Sequence, residues 1–239
     1  VSYNGAGTES NPYEVGNVDQ LQCIADQGLD DNYLQVSDID ATGTSSWNSG
    51  DGFNPIGEFT FRGTPFNGTF DGNGYDIDGL SVDSAGDSGV GMLGVVGGPG
   101  TVTGVSLVDA SINGDRIVGG IAGDNEGTLS DSSVSGDING EDTDIGGAVG
   151  INDGTASGLS ASGNVTGGNF NIGGLVGRSG GTVSDSSASV NVVGDRDVGG
   201  LIGYALGTVS ESSATGKVEG NNSVGGLVGN VGTENGTVY

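Results

Sequence analysis

No histidine occurs anywhere in the 239 residues, lysine and arginine together number five, and there is a single cysteine. Each scarcity closes a class of function. A serine or cysteine nucleophile needs a base to take its proton, and with no histidine and Lys217 as the single lysine that route is nearly closed. Zinc sites lose their usual nitrogen and sulfur ligands. Five scattered cations cannot neutralise a run of phosphates, which argues against nucleic acid and equally against anionic membrane surfaces. Cys23 alone forms no internal disulfide, so packing and backbone pairing must supply stability. No stretch approaches 18 apolar residues, so no segment here inserts in a membrane, and the chain opens without a charged and then apolar leader pattern. It reads as a mature or excised piece whose signal or anchor lies elsewhere.

Aromatic residues are also few, at 5%, and apolar residues reach only 33%, too little bulk for a thick layered core. What the chain has instead is glycine, 53 residues of it, and acid: 31 Asp and Glu give a formal net charge of −26. Such a charge repels itself in a compact state, yet at molar salt the screening length falls to about 3 Å and the repulsion nearly vanishes. Life in high salt is the economical explanation; an ordinary acidic surface protein whose carboxylates hold divalent ions is the alternative.

From Val90 onward one signature recurs. Val90-Gly-Met-Leu-Gly is followed by Val118-Gly-Gly-Ile-Ala-Gly, Ile145-Gly-Gly-Ala-Val-Gly, Ile172-Gly-Gly-Leu-Val-Gly, Val198-Gly-Gly-Leu-Ile-Gly and Val224-Gly-Gly-Leu-Val-Gly, at steps of 28, 27, 27, 26 and 26 residues. A Gly-Thr pair follows each signature, from Gly100-Thr101 to Gly207-Thr208, and more distantly at Gly236-Thr237. A fixed period of this size marks a solenoid. Stacked in register, the copies turn apolar positions into columns, such as Val90 to Val224, Leu93 with Ile121 to Leu227, Val102 to Val238 and Ile112 to Val218. β-Branched residues dominate them and no copy has room for a helix of several turns. The fold class expected is all-β: a right-handed parallel β-helix with three short strands per coil, coils about 4.8 Å apart and six of them on the order of 29 Å long. Ser132, Ser186 and Ser212 share a column with Val105 and Leu159, which predicts inward hydroxyls bonded along the stack.

Residues 1–89 form an N-terminal opening segment, and 90–239 the six coils, the last incomplete. Asn17 with Gln20 resembles a capping box, Val18, Leu21, Ile24 and Ala25 share one helical face, and Gly28 supplies a stop, so a short capping helix is predicted over about 17–27. Short alternating runs at Tyr33-Leu-Gln-Val, Asp38-Ile-Asp-Ala and Phe70 to Leu80 predict two or three irregular coils on the same axis. Trp47, Phe53, Phe59, Phe61 and Phe66 gather where loops would fold over the solenoid end.

The Gly-Gly-Leu-Val-Gly and Gly-Thr-Val-Ser pattern resembles the GLUG repeat. Asp38-Ile-Asp, Pro55-Ile-Gly and Gly68-Thr-Phe-Asp-Gly-Asn-Gly resemble the segment that precedes such repeats in large secreted bacterial and haloarchaeal proteins. The resemblance implies a β-helix on an extracellular or cell-surface protein, often adhesin-like, and carries no catalytic residues to transfer.

Candidate sites are therefore few. Asp71, Asn73, Asp76 and Asp78 superficially look like a calcium loop, although the spacing misses the EF-hand pattern. Asp115 and Asp142 align with Asn169, Asp195 and Asn221, and Asp144 with Asn171 and Asp197; stacked carboxylates could hold calcium or another hard cation, while Asp and Asn equally suit tight bends. Asp185 and Glu211 share a column in adjacent coils, close to the separation of about 5 to 5.5 Å that a retaining glycosidase uses, or else they face solvent on a strand. Arg116 and Arg196 are expected to pair with nearby acids. Asn67, Asn164, Asn221 and Asn235 begin glycosylation sequons. Taken together these residues predict no cofactor and no enzyme. They predict a salt-adapted structural or adhesive surface module, a rigid rod or binding scaffold meeting cell-surface glycans, proteins or neighbouring copies in a filament. The alternative is a carbohydrate-active β-helix enzyme, a polysaccharide hydrolase or lyase.

Overall fold

The computed structural model describes residues 1–59, 63–232 and 237–239. It is a β-solenoid in which successive repeats pair in parallel. One coil shows the plan. Thr128–Ser130 lies in a nine-stranded sheet, Ser133–Gly140 and Ile145–Gly146 in a thirteen-stranded sheet, and Val149–Asn152 in a six-stranded sheet. The opening segment continues the same axis. Tyr13–Val15, Asn32–Gln35 and Thr69–Asp71 are the first three rungs of the nine-stranded sheet.

The apolar columns are in place. Leu129 stands between Val102 and Ala156, and Val165 between Ile138 and Val192, all buried, so each coil roofs its neighbour's side chains. One column is corrected: Leu93 pairs with Ala122 rather than Ile121, because the Val90 copy is one residue short at its bend and Met92 fills the buried corner. The last coil is present but uncovered, with Val224 45% and Val231 43% exposed.

Glycine in the signature has a steric reason. A Cβ on Gly203 would stand 2.4 Å from the backbone of Asn171 and Ile172, and one on Gly199 would stand 1.9 Å from the Ile202 carbonyl. The thirteen- and six-stranded sheets meet there backbone against backbone, which only glycine permits. The preceding bend needs a left-handed residue in every coil: Ile117, Asp144, Asn171, Asp197 and Ser223 all have φ between 50 and 62°. Asx residues tolerate this conformation; Ile117, β-branched, is the outlier.

The buried serines hydrogen-bond up the stack as predicted. Ser132 Oγ accepts from the Val105 amide at 3.1 Å and donates to the Ser130 carbonyl at 2.6 Å, and Ser186 repeats the pattern with Leu159 and Ser184.

The helix predicted over about 17–27 is two pieces, α1 (Val18–Gln22) and α2 (Ile24–Gln27), broken at Cys23. Asn17 caps the first by accepting from the Gln20 amide at 2.9 Å, and Leu21 and Ile24 are buried. The break turns Ala25 to solvent, against the single apolar face expected of an unbroken helix. Phe53 and Phe66 are fully buried, and Tyr33 packs against Phe66 at 6.3 Å between ring centroids. Phe59 is 37% exposed, and Phe61 lies outside the described residues.

Candidate functional site

Most of the sequence-predicted acidic residues are bend chemistry. Asp185 and Glu211 sit at φ of 52 and 49°, in the corner where other coils place Gly104, Asp131 and Gly158. Their shared column is thus a turn position. Asp71 Oδ1 accepts from the Asn73 amide at 2.8 Å, an Asx turn, with Asn73 left-handed at φ 54°. Asp76 and Asp78 point to solvent on either side of buried Ile77. Among the described residues no three acidic side chains converge on a point where a metal ion could sit.

The columns around Asp142 and Asp144 form ladders in which amide and acid alternate. Asn169 Nδ2 donates to Asp142 Oδ1 at 3.0 Å and Asn171 Nδ2 to Asp144 Oδ1 at 2.8 Å, and Asn221 does the same for Asp195 at 2.6 Å. Asp142 has Asp115 on its other side, and there Arg116 contributes the cation, with Nε 3.5 Å from Asp142. Arg196, expected to pair with an acid, instead lies over the Phe170 ring at 4.7 Å, because its strand partner is that aromatic residue.

Of the sequon residues, Asn164 and Asn221 are exposed. Asn67 is half-buried and donates to Asp30 at 3.1 Å. Asn235 lies outside the described residues.

Two features escaped the sequence reading. The first is an internal amide ladder: Asn125 Nδ2 donates to Asn152 Oδ1 at 2.8 Å and Asn152 Nδ2 to Ser179 Oγ at 3.2 Å, all three fully buried. Two asparagines 27 residues apart, both just ahead of Gly-Thr, were the available signal. The second is Asp124, in the outward column of the six-stranded sheet between Val95 and Ile151, which are only 8% exposed each. One of its carboxylate oxygens, Oδ1, is buried and meets no hydrogen-bond partner among the described residues. Burial, and then the charges of Glu126 and Asp153, push its pKa up to about 6, against the pull of Arg178. A cavity of about 390 Å³ opens beside it, walled by Glu58, Phe59, Pro65, Val95 and Glu126.

The GLUG motif family model matches residues 168–193 and 194–219, two consecutive coils of this stack. These coils are GLUG repeats. Over 144 residues the chain is 43% identical to halomucin of Haloquadratum walsbyi, a match covering 59% of this chain and 2% of that protein. Over 140 residues it is 36% identical to a Gly-rich membrane protein of Evansella cellulosilytica, covering 56% of this chain and 16% of the relative. The chain therefore spans a small part of the length of either relative. A crystal structure from Bacteroides ovatus, named as an immunoglobulin A1 protease, superposes with a TM-score of 0.64 over 93% of this chain and 86% of its own. At 16% identity that likeness shows the fold alone. No helix among the described residues is long and apolar enough to cross a membrane.

Proposed function

We propose that this GLUG solenoid is a salt-adapted segment of a cell-surface or extracellular structural protein, a stiff rod that spaces or presents surfaces to other cells or matrices. The observation that carries the reading is the parallel stacking of coil on coil, whose interior columns hold apolar, Ser or Asn side chains while the acids stand at bends and on the outer faces. Similarity to halomucin supports placement at the surface. The acids found at turns and in amide ladders have structural work to do, which favours a scaffold over a polysaccharide hydrolase or lyase. Of the sequon residues, exposed Asn164 and Asn221 are where glycans would be carried, each then sharing a side-chain nitrogen that donates to an acid one coil away, Asp137 at 2.8 Å and Asp195 at 2.6 Å.

Labelling of intact source cells with an antibody raised against this segment tests the proposal. Signal on unbroken cells or in the medium is the expected result. Signal that appears only after lysis would overturn the surface assignment.

A further inference from the structure

The outer face of the nine-stranded sheet departs from the rest of the molecule. From Thr101–Thr103 to Thr208–Ser210, five successive strands present a Thr-X-Ser or Thr-X-Thr pair outward around a buried apolar residue, each pair in register with the next. Ten outward positions thus carry ten hydroxyls and no charge, in a chain holding 31 acids. Carboxylates return around it. Asp71, the strand partner of Thr103, ends one column; Glu126 and Asp153 flank one edge, and Asp131, Asp185 and Glu211 occupy the bends at the other.

We propose that this hydroxyl floor is a binding strip for an unbranched, uncharged polysaccharide chain lying along the rod; the proposal rests on the surface-module reading above and names its partner. Size decides between kinds of ligand. Two hydroxyl rows about 7 Å apart, repeated at about 4.8 Å over five coils, span roughly 170 Å². A stable protein interface buries about 800 Å² on each partner, so the strip is too narrow for a second copy or another protein and has the dimensions of a single extended chain. Chemistry decides the class. A Thr or Ser hydroxyl has one donor and two acceptor lone pairs, and Ser130 alone spends its donor within the strip, on Thr103 at 3.1 Å; the rest match the hydroxyls of a sugar, and the marginal carboxylates accept from sugar hydroxyls. A net charge of −26 repels a polyanionic glycan. Hydroxyl contacts compete with water, so the strip binds weakly per chain, with Kd of about a millimolar, and gains by repetition along a polymer.

The test is amide-resolved NMR of the full chain in 0.15 M potassium chloride, where a screening length of about 8 Å leaves the repulsion of a polyanion in force. It is titrated in turn with xylohexaose, maltohexaose and cellohexaose, and with an oligogalacturonate of similar length. Expected are shifts from at least one neutral oligomer that cluster on strands 101–103 to 208–210, and none from the anionic one. A T155V/T182V double variant should weaken that binding at least fivefold with its melting temperature unchanged. The proposal is overturned by absence of shifts with all three neutral oligomers, by equal shifts with the oligogalacturonate, by shifts centred on the Asp124 cavity, or by a variant that binds as before. Shifts of the same strands that depend on protein concentration without any sugar would overturn it in favour of a copy-to-copy contact. None of these outcomes touches the antibody result, so the glycan proposal and the surface assignment fail separately.

Discussion

Asn171 donates its side-chain amide to Asp144 one coil away, and both residues are in the left-handed conformation that opens the next strand. The next position in the column is Asp197, which accepts instead from Asn230 at 3.0 Å. Alternation of acid and amide therefore satisfies each carboxylate while keeping like charges two coil spacings apart, roughly 10 Å.

Replacing the amide removes that separation. Asn171→Asp would place three carboxylates in succession at about 5 Å, a repulsion of about 1 to 3 kcal/mol at low salt. Urea denaturation should show the variant less stable by that amount in 0.1 M potassium chloride. The difference should nearly close in 2 M, where screening acts within about 3 Å.

The parent chain should behave similarly on a larger scale. Its melting temperature, followed by circular dichroism, is expected to rise by roughly 10 °C or more between 0.1 and 2 M potassium chloride as self-repulsion is screened. Millimolar calcium should add nothing at either salt concentration, because the acids sit in bends and ladders. A calcium-specific rise at low salt would convert the Asp columns into metal sites.

Asp124 has the opposite pH signature from a paired carboxylate. Its folded pKa lies above the unfolded one, at about 6 against an ordinary value near 4, so the folded state holds the proton more tightly. Its contribution is therefore most favourable below about pH 4 and is lost as pH rises through 6. Asp124→Asn should stabilise the chain by about 1 to 2 kcal/mol at pH 7.5, after allowance for partial solvent screening, and by nothing at pH 4. Paired melts of the two proteins across that range check the sign.

Gly203→Ala should be among the most damaging single changes, since the added methyl meets backbone rather than a yielding side chain. A loss of about 3 kcal/mol or more is expected in urea denaturation. Thr155→Ala on the exposed floor should cost well under 1 kcal/mol.

The stack was legible because its evidence repeats. Val118, Ile145 and Ile172 each look ordinary alone, and their shared spacing is what declares a column. The buried serines could be read for the same reason, since Ser132 and Ser186 alternate with Leu159 in one line. Legibility failed where the signal was a single event. Nothing in the sequence around Cys23 announces the break between the two helical pieces, and the missing residue at the Val90 bend shifts Leu93 by one place. Asp124 stayed hidden because its character comes from Val95 and Ile151 in neighbouring coils and from a loop, none of them adjacent in sequence. Arg196 was misassigned because acids outnumber aromatics so heavily that an ionic partner seemed the obvious one, while strand register set Phe170 beside it.

Because each coil is held by its two neighbours alone, the rod also has a mechanical character. A coil of about 26 residues occupies roughly 5 Å of length while stacked and up to about 90 Å once pulled straight. A load that strips one coil from the stack therefore lengthens the molecule by about 85 Å and leaves the remaining coils intact. Under load such a stack would yield in steps before it came apart.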